Sequence, residues 1–450
     1  MLVAGFGIMA ILPPVLIALV ALTWWRPELG SLVVVVAATN FLSLASNEAL
    51  VLGPKVRLDD VMLLVVLTVW AMRMSLRRNP DVFRRTWLPK AVLLVIAAVG
   101  MELVFTPLRY GQSVPDTMSV ARGFAYYALF FPVAAEMASR ERRRVLVALV
   151  IACGVLFAML YELQFIVGGS YKVFGGEIRT LMEHVGPITV PRVYVLGNLL
   201  SVLAFFLILA RLFKPKTGRR VVLWIALGVS CGGFLLTFSR MLWLGVIAGA
   251  AVMFVYDRRI GLSRGVLRAS LTAAAVAVAS TFLAPGAADV LRERVLSVVV
   301  ELSQGSGSYG YRLVEATSRL RIIAENILVG VGFVSEEQRA LASAGALTSL
   351  RMPDSGLVTL LVYFGILGLV WLAALTLSFA HAAAAYRRQA TVADTDMVGI
   401  VGFVSGMLIT FVALNAFVAI EGIAVLALSL GVTHGIVTQR ALASAVDSSG

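Results

Sequence analysis

Arg240 lies in Thr237-Phe238-Ser239-Arg240-Met241-Leu242-Trp243-Leu244-Gly245, a corner between two apolar runs with almost no loop around it. Insertion scales put an arginine at mid-bilayer about 2.5–3.5 kcal/mol uphill, and less near the interface. A guanidinium kept at such a corner therefore either snorkels to headgroups or holds an anion. Arg192, in Pro191-Arg192-Val193-Tyr194-Val195-Leu196-Gly197-Asn198, abuts another run, and Arg312 opens an amphipathic stretch. Guanidinium offers a fixed fork of donors that matches phosphate bidentately. In metal-free sites such side chains neutralise phosphoryl leaving groups. Snorkelling explains any one of the three; three on one side point to a shared anion site. Two residues have the type for a general base. Asp354 stands at the head of a later apolar run, where it or Ser355 would equally serve as a helix N-cap. His184, in Met182-Glu183-His184-Val185, is the competitor, with simple solvation as its alternative.

The elements that must position these residues are membrane spans. A 450-residue chain that is 60% hydrophobic and 14% charged, with a mean hydropathy of +0.93, has too much apolar sequence for a soluble core. Apolar runs occur near 3–24, 31–46, 59–76, 87–106, 122–138, 145–168, 193–212, 221–237, 241–256, 269–285, 355–380, 397–416 and 419–437. The second is short and interrupted by Asn40 and Ser43; as a re-entrant segment it would leave twelve spans rather than thirteen. The expected fold is an all-α polytopic membrane protein with 12–13 transmembrane helices and one long external loop. Its divisions are residues 1–285, the loop 286–354, the spans 355–438 and a disordered cytoplasmic tail 439–450. The N-terminus lacks a basic region and a cleavage site and reads as a retained span.

Basic residues orient the spans. Alternate loops carry Arg73, Arg77, Arg78, Arg84, Arg85 and Lys90, then Arg140 to Arg144, Arg211 to Arg220, Arg258 to Arg268, and Arg387 with Arg388; the positive-inside rule makes these cytoplasmic. The connections 107–121, 169–192, 238–240 and 286–353 then face outwards, and with them Arg192, Arg240 and Arg312. The net charge of +13 is accounted for by short basic loops and does not argue for nucleic acid. In the long loop seven arginines balance seven acids, a Ser303-Gln-Gly-Ser-Gly-Ser-Tyr-Gly310 hinge precedes an amphipathic helix over 312–328, and Gly330-Val331-Gly332 breaks it. Cys153 and Cys231 lie inside spans, and no histidine, cysteine or outward carboxylate cluster has metal-ligand spacing, so no metal or other cofactor is expected. Asp59 and Asp60 are expected to cap their helix or orient an arginine. Tyr110, Arg122, Tyr126 and Tyr127 are expected at the outer leaflet, and His381 and His434 at cytoplasmic span ends.

The pattern resembles the O-antigen ligase and polymerase family of bacterial envelope glycosyltransferases. The resemblance rests on Ser239-Arg240-Met241-Leu242-Trp243-Leu244-Gly245 opening a span and on Arg312 ahead of a helix that ends in Gly330-Val331-Gly332-Phe333. It rests also on Asp354-Ser355-Gly356 leading an aliphatic run into Gly365-Ile366-Leu367-Gly368, and on Arg192 followed by Gly197-Asn198. It covers roughly 190–380 in detail and the remainder as topology. It implies a GT-C-like membrane glycosyltransferase of the inner membrane with an outward-facing site, metal-independent and inverting. The donor would be a saccharide on undecaprenyl diphosphate and the acceptor a glycan or lipid, among membrane lipids and polysaccharide-export partners. Arg192, Arg240 and Arg312 would bind the diphosphate. The family often has a histidine where this chain has Asp354, which puts the base in doubt between Asp354 and His184 and inclines the reading towards a polymerase over a ligase. The rival from another class, a lipid-linked saccharide transporter, is disfavoured because most charges sit at span ends.

Overall fold

A computed structural model describes residues 2–39, 57–77, 83–167, 179–185, 188–194, 198–212, 220–237, 239–257, 317, 319–335, 355–389, 394–412 and 414–447. The protein is an all-α polytopic membrane protein. Its helices are α1 (Leu2–Trp25), α2 (Pro27–Ala38), α3 (Leu58–Arg77), α4 (Leu88–Tyr110), α5 (Val114–Ala125), α6 (Phe130–Glu136), α7 (Arg140–Val167), α8 (Asn198–Leu212), α9 (Arg220–Leu235) and α10 (Arg240–Tyr256). After these come α11 (Gly356–Phe364), α12 (Ile366–Gln389), α13 (Thr395–Thr410) and α14 (Ile420–Asp447). Among the described residues, five stretches are long and apolar enough to cross a membrane: Leu88–Tyr110, Val114–Glu136, Arg140–Val167, Ile366–Arg388 and Ile420–Ala443. Shorter apolar helices such as Asn198–Leu212 and Arg240–Tyr256 run alongside them.

The loops that the basic residues single out share one end of the bundle, and buried ion pairs tie them together. Arg143, only 3% exposed, donates to Asp394 Oδ2 at 3.0 Å and Gln439 Oε1 at 2.7 Å. Arg211 donates to Asp396 at 3.1 Å. This joins the starts of α7 and α13 to α8 and α14. Beside it, Arg73 donates to the Trp24 carbonyl at 2.8 Å and pairs with Glu136 at 3.0 Å, and Arg142 also reaches Glu136. A cation at each helix end thus meets an acid from another helix, so much of this basic charge is structural. Because α10 ends at this basic end, where Arg387 donates to Val255 O at 3.4 Å, Arg240 begins it at the opposite end.

Glycine spacing sets the closest helix pair. Gly245 and Gly249 of α10 face Gly402 and Gly406 of α13: a Cβ at Gly249 would lie 2.3 Å from the Gly402 carbonyl, and one at Gly406 would lie 2.3 Å from that of Gly245. In lipid, where apolar burial gives no net drive between helices, such small-xxx-small seams let backbones pack by dispersion.

Several expectations are corrected. The 169–192 connection contains a hairpin, β1 (Arg179–Val185) paired antiparallel with β2 (Ile188–Tyr194); the β-branched run Ile188-Thr189-Val190 after Gly186-Pro187 is the signal for it. Tyr126 and Tyr127 are not a belt. They occupy a 3-10 turn between α5 and α6 and are fully buried, with Tyr127 donating to the Phe417 carbonyl at 2.9 Å and set edge-on to Trp371. Arg122 does pair with Asp60, at 3.7 Å. His434 lies within α14, fully buried against Thr86 Oγ1 at 2.8 Å, because the helix runs on to Asp447. That same extension makes most of the expected disordered tail helical, as its Ala441-Leu442-Ala443-Ser444-Ala445 composition favours.

Candidate functional site

The sequence Thr237-Phe238-Ser239-Arg240 turns the chain from α9 into α10, and one carbonyl organises the described part of that turn. Phe234 O accepts from Thr237 Oγ1 at 2.7 Å and from Trp243 Nε1 at 3.3 Å, while the Ser239 N–H donates to Thr237 Oγ1 at 3.2 Å. Trp243 therefore braces the corner from the first turn of α10, and Gly245 seats that turn on Thr410 of α13. Arg240 is the first residue of a 17-residue helix whose first turn has no acid and whose N-cap, Ser239, makes no side-chain cap bond. The positive end of the helix dipole and a half-buried guanidinium coincide there, a setting that favours an anion.

Three other starts gather at this end. Ser355 caps α11, accepting from the Val358 N–H at 3.4 Å and donating to the Val412 carbonyl at 2.5 Å, and the Leu357 N–H donates to the Phe411 carbonyl at 3.2 Å. The last turn of α13 thus lies between the α10 start that carries Arg240 and the α11 start that follows Asp354. Asn198 opens α8, and Glu421, in the first turn of α14, accepts from the Leu199 N–H at 3.1 Å.

The segment after the short helix 319–325 folds into the bundle. Gly330 and Gly332 take φ of 74° and 79°, and Gly365, at the break between α11 and α12, takes 57°. The Val331 and Gly332 N–H groups donate to the Val362 and Tyr363 carbonyls at 2.7 and 3.2 Å. The Ile366 and Leu367 N–H groups donate to those of Ile327 and Leu328 at 2.8 and 3.5 Å. The apolar run 355–380 is therefore two helices, and the loop end supplies the backbone partners that the break would otherwise lack. Non-helical backbone at membrane depth requires such satisfaction. Leu320 and Ile327 of the amphipathic stretch remain exposed while Ile323 is buried, as expected for a helix resting between protein and lipid.

Among the expected site residues, Arg240 sits at the corner described. Arg192 and His184 lie on the hairpin, opposite Leu181 and Thr189 respectively, so Arg192 belongs to a strand rather than to the mouth of α8; α8 begins only at Asn198. Arg312 and Asp354 lie outside the described residues, and so do the hinge 303–310 and the apolar run 269–285.

Sequence reasoning missed polar residues inside the spans. Glu102 of α4 is 4% exposed; Thr106 Oγ1 donates to its Oε2 at 3.2 Å, and Oε1 has no hydrogen-bond partner. Glu162 of α7 rests on the α9 backbone at Gly232, close before the Arg240 corner. A lone acid within an apolar run is the signal that finds both. Arg109, in the last turn of α4, and Gln112, two residues past its end, contact Gly330 and Phe333 directly.

Compared with protein families, residues 221–373 match the family model described as O-antigen ligase. The matched stretch spans α9, α10, the long loop, α11 and the first turns of α12. Compared with curated proteins, the chain matches none.

Proposed function

We propose that this protein transfers saccharide from an undecaprenyl-diphosphate-linked donor at the outer face of the bacterial inner membrane, a reading supported by the match of residues 221–373 to the family model described as O-antigen ligase. The observation that carries the reading is the convergence of the family-like segments at one end of the bundle. The Arg240 corner and the α11 start flank the same terminus of α13, and the Gly330-Val331-Gly332 segment is anchored in the α11–α12 break. That end is opposite the basic loops, which the positive-inside rule assigns to the cytoplasm.

In the proposed reaction an acceptor hydroxyl oxygen attacks the anomeric carbon, and the bond from that carbon to the diphosphate oxygen breaks with inversion. The hydroxyl proton passes to Asp354, and the diphosphate leaves with its charge held by Arg240, Arg192 and Arg312. No metal is required in this scheme, because guanidinium forks supply the countercharge. The acceptor separates two versions. A polymerase extends a second lipid-linked glycan, and a ligase transfers to a lipid or protein; Asp354 in place of the family's histidine favours the polymerase.

The test is complementation of a deletion strain. Arg240→Lys keeps charge but not the fork, and it should abolish glycan formation at normal membrane levels of the protein. Removing one such transition-state donor costs roughly 10²–10³ in rate. Near-normal glycan from both Arg240→Lys and Arg240→Ala would leave Arg240 a snorkelling residue and defeat the proposal.

A further inference from the structure

α12 packs against α4 and α14, while the glycine seam draws α10 onto α13. A groove of about 790 Å³ parts α12 from the α10–α13 pair. Val252 of α10 and Val401 and Leu408 of α13 form one wall, and Thr376, Ala380 and Ala384 of α12 form the other. These α12 residues recur every four positions and so share one face. Methyl groups stand where a leucine would close the gap, and Ala380 and Ala384 are exposed, so the groove opens sideways between the helices. From Thr376 to Arg388 the helix rises about 18 Å at roughly 1.5 Å per residue, a little more than half of a hydrocarbon core about 30 Å thick.

The mouth of the groove lies at the basic end of the bundle. There Tyr256 Oη donates to the Ala383 carbonyl at 2.8 Å and ties α10 to α12. Arg387 lies 5.7 Å from the Tyr256 ring centre and donates to Val255 O at 3.4 Å, and Arg388 beside it is exposed. Other cations of this end have acids: Arg73 and Arg142 have Glu136, Arg143 has Asp394, and Arg211 has Asp396. Among the described residues neither Arg387 nor Arg388 makes a salt bridge, although Asp257 directly follows Tyr256. Pairing within the fold thus accounts for the other four and not for these two. An apolar slot of one leaflet's depth with two guanidinium groups at its cytoplasmic mouth fits one acyl chain under one anionic headgroup.

We propose that this groove holds an anionic glycerophospholipid of the cytoplasmic leaflet, its phosphate at Arg387 and Arg388 and an acyl chain between the alanines of α12 and Val401. The site is at the opposite end of the bundle from Arg240 and does not rest on the transfer reaction. An acyl chain there restores the dispersion contacts that both walls would otherwise lack. The choice of headgroup falls to the arginines: near a membrane surface each gives about a fivefold preference for an anionic lipid, and the pair roughly thirtyfold.

In the experiment the full-length protein, purified in detergent and stripped of lipid, is titrated with phosphatidylglycerol and with phosphatidylcholine of the same chains. Native mass spectrometry counts the bound lipid. One phosphatidylglycerol per chain should bind roughly thirtyfold more tightly than phosphatidylcholine. The double variant Arg387→Gln, Arg388→Gln should bring the two lipids within about threefold of each other, and Arg388→Gln alone, which spares the Val255 contact, should take about fivefold from the preference. Ala384→Trp fills the groove and should abolish tight binding with both arginines in place; Ala380→Phe does the same if Ala384→Trp is not recovered folded. Equal affinity for the two lipids would leave the arginines snorkelling at a helix end and overturn the site, as would tight binding that survives both groove-filling variants. A polyprenyl lipid bound in its place, or a disulfide joining two copies through Ala380→Cys, would give the groove to another occupant and equally overturn it. Because the readout is binding, each result leaves the transfer reaction to its own test.

Discussion

Replacing Gly330 with alanine tests whether the loop end is wedged into the broken span. At φ 74° an L-residue is strained by about 1–2 kcal/mol. The new methyl carbon would stand 2.6 Å from the Tyr363 carbonyl carbon and 2.7 Å from the nitrogens of Phe364 and Gly365, all backbone atoms that cannot swing aside. Relief therefore requires the segment to withdraw, which breaks the bonds from Val331 and Gly332 to Val362 and Tyr363. Leaving a buried backbone group unsatisfied costs about 1–3 kcal/mol, so strain plus the two lost bonds comes to about 3–8 kcal/mol. Gly228 is the internal control: nothing lies within 4 Å of a Cβ there, and alanine in that helix should be neutral or stabilising by about 0.4–1 kcal/mol. Thermal unfolding of the purified protein in detergent should show Gly330→Ala melting several degrees below wild type and Gly228→Ala at or above it. The two variants melting together with wild type would refute the wedge.

Three further outcomes are expected. Arg143→Ala takes the 3.0 Å partner from Asp394 and leaves Asp396 with Arg211; removing one partner of a buried pair costs about 3–5 kcal/mol, so size-exclusion of the tagged protein should show little folded material. Asp354→Asn should slow turnover strongly while donor binding persists, and His184→Gln should cost little; the reverse pattern in the same assay would move the base to the hairpin. A tag after Gly307 should react with a membrane-impermeant label added outside whole cells, while one in 214–220 should not, and swapped labelling would place the site on the wrong face.

How far the chain could be read in advance varies by residue. Arg240 was legible because an arginine between two apolar runs is costly wherever it sits, and its cost is visible locally. The brace that Trp243 provides was not, because it depends on a carbonyl nine residues back meeting the indole only once the corner is wound. The hairpin was readable from Gly186-Pro187 and its β-branched flank, yet a pattern of spans hides a short strand signal. Arg143 looked like one more loop cation; its four-helix tie needed Asp394, Asp396 and Gln439 to arrive from far along the chain.

By itself, then, the sequence determined what depends on composition and near neighbours: a helical membrane chain, its basic loops, and the arginine at a span corner. Hydropathy acts residue by residue against lipid, so a linear reading captures it. Only the tertiary structure decided the contacts that depend on backbone meeting backbone. These are the glycine seam of α10 on α13, the division of 355–380 at Gly365, and the docking of Phe333 onto Thr106 and Gln112. In lipid an unsatisfied N–H or carbonyl is too costly to leave, and its partner is whichever group the fold brings near, at any distance along the chain.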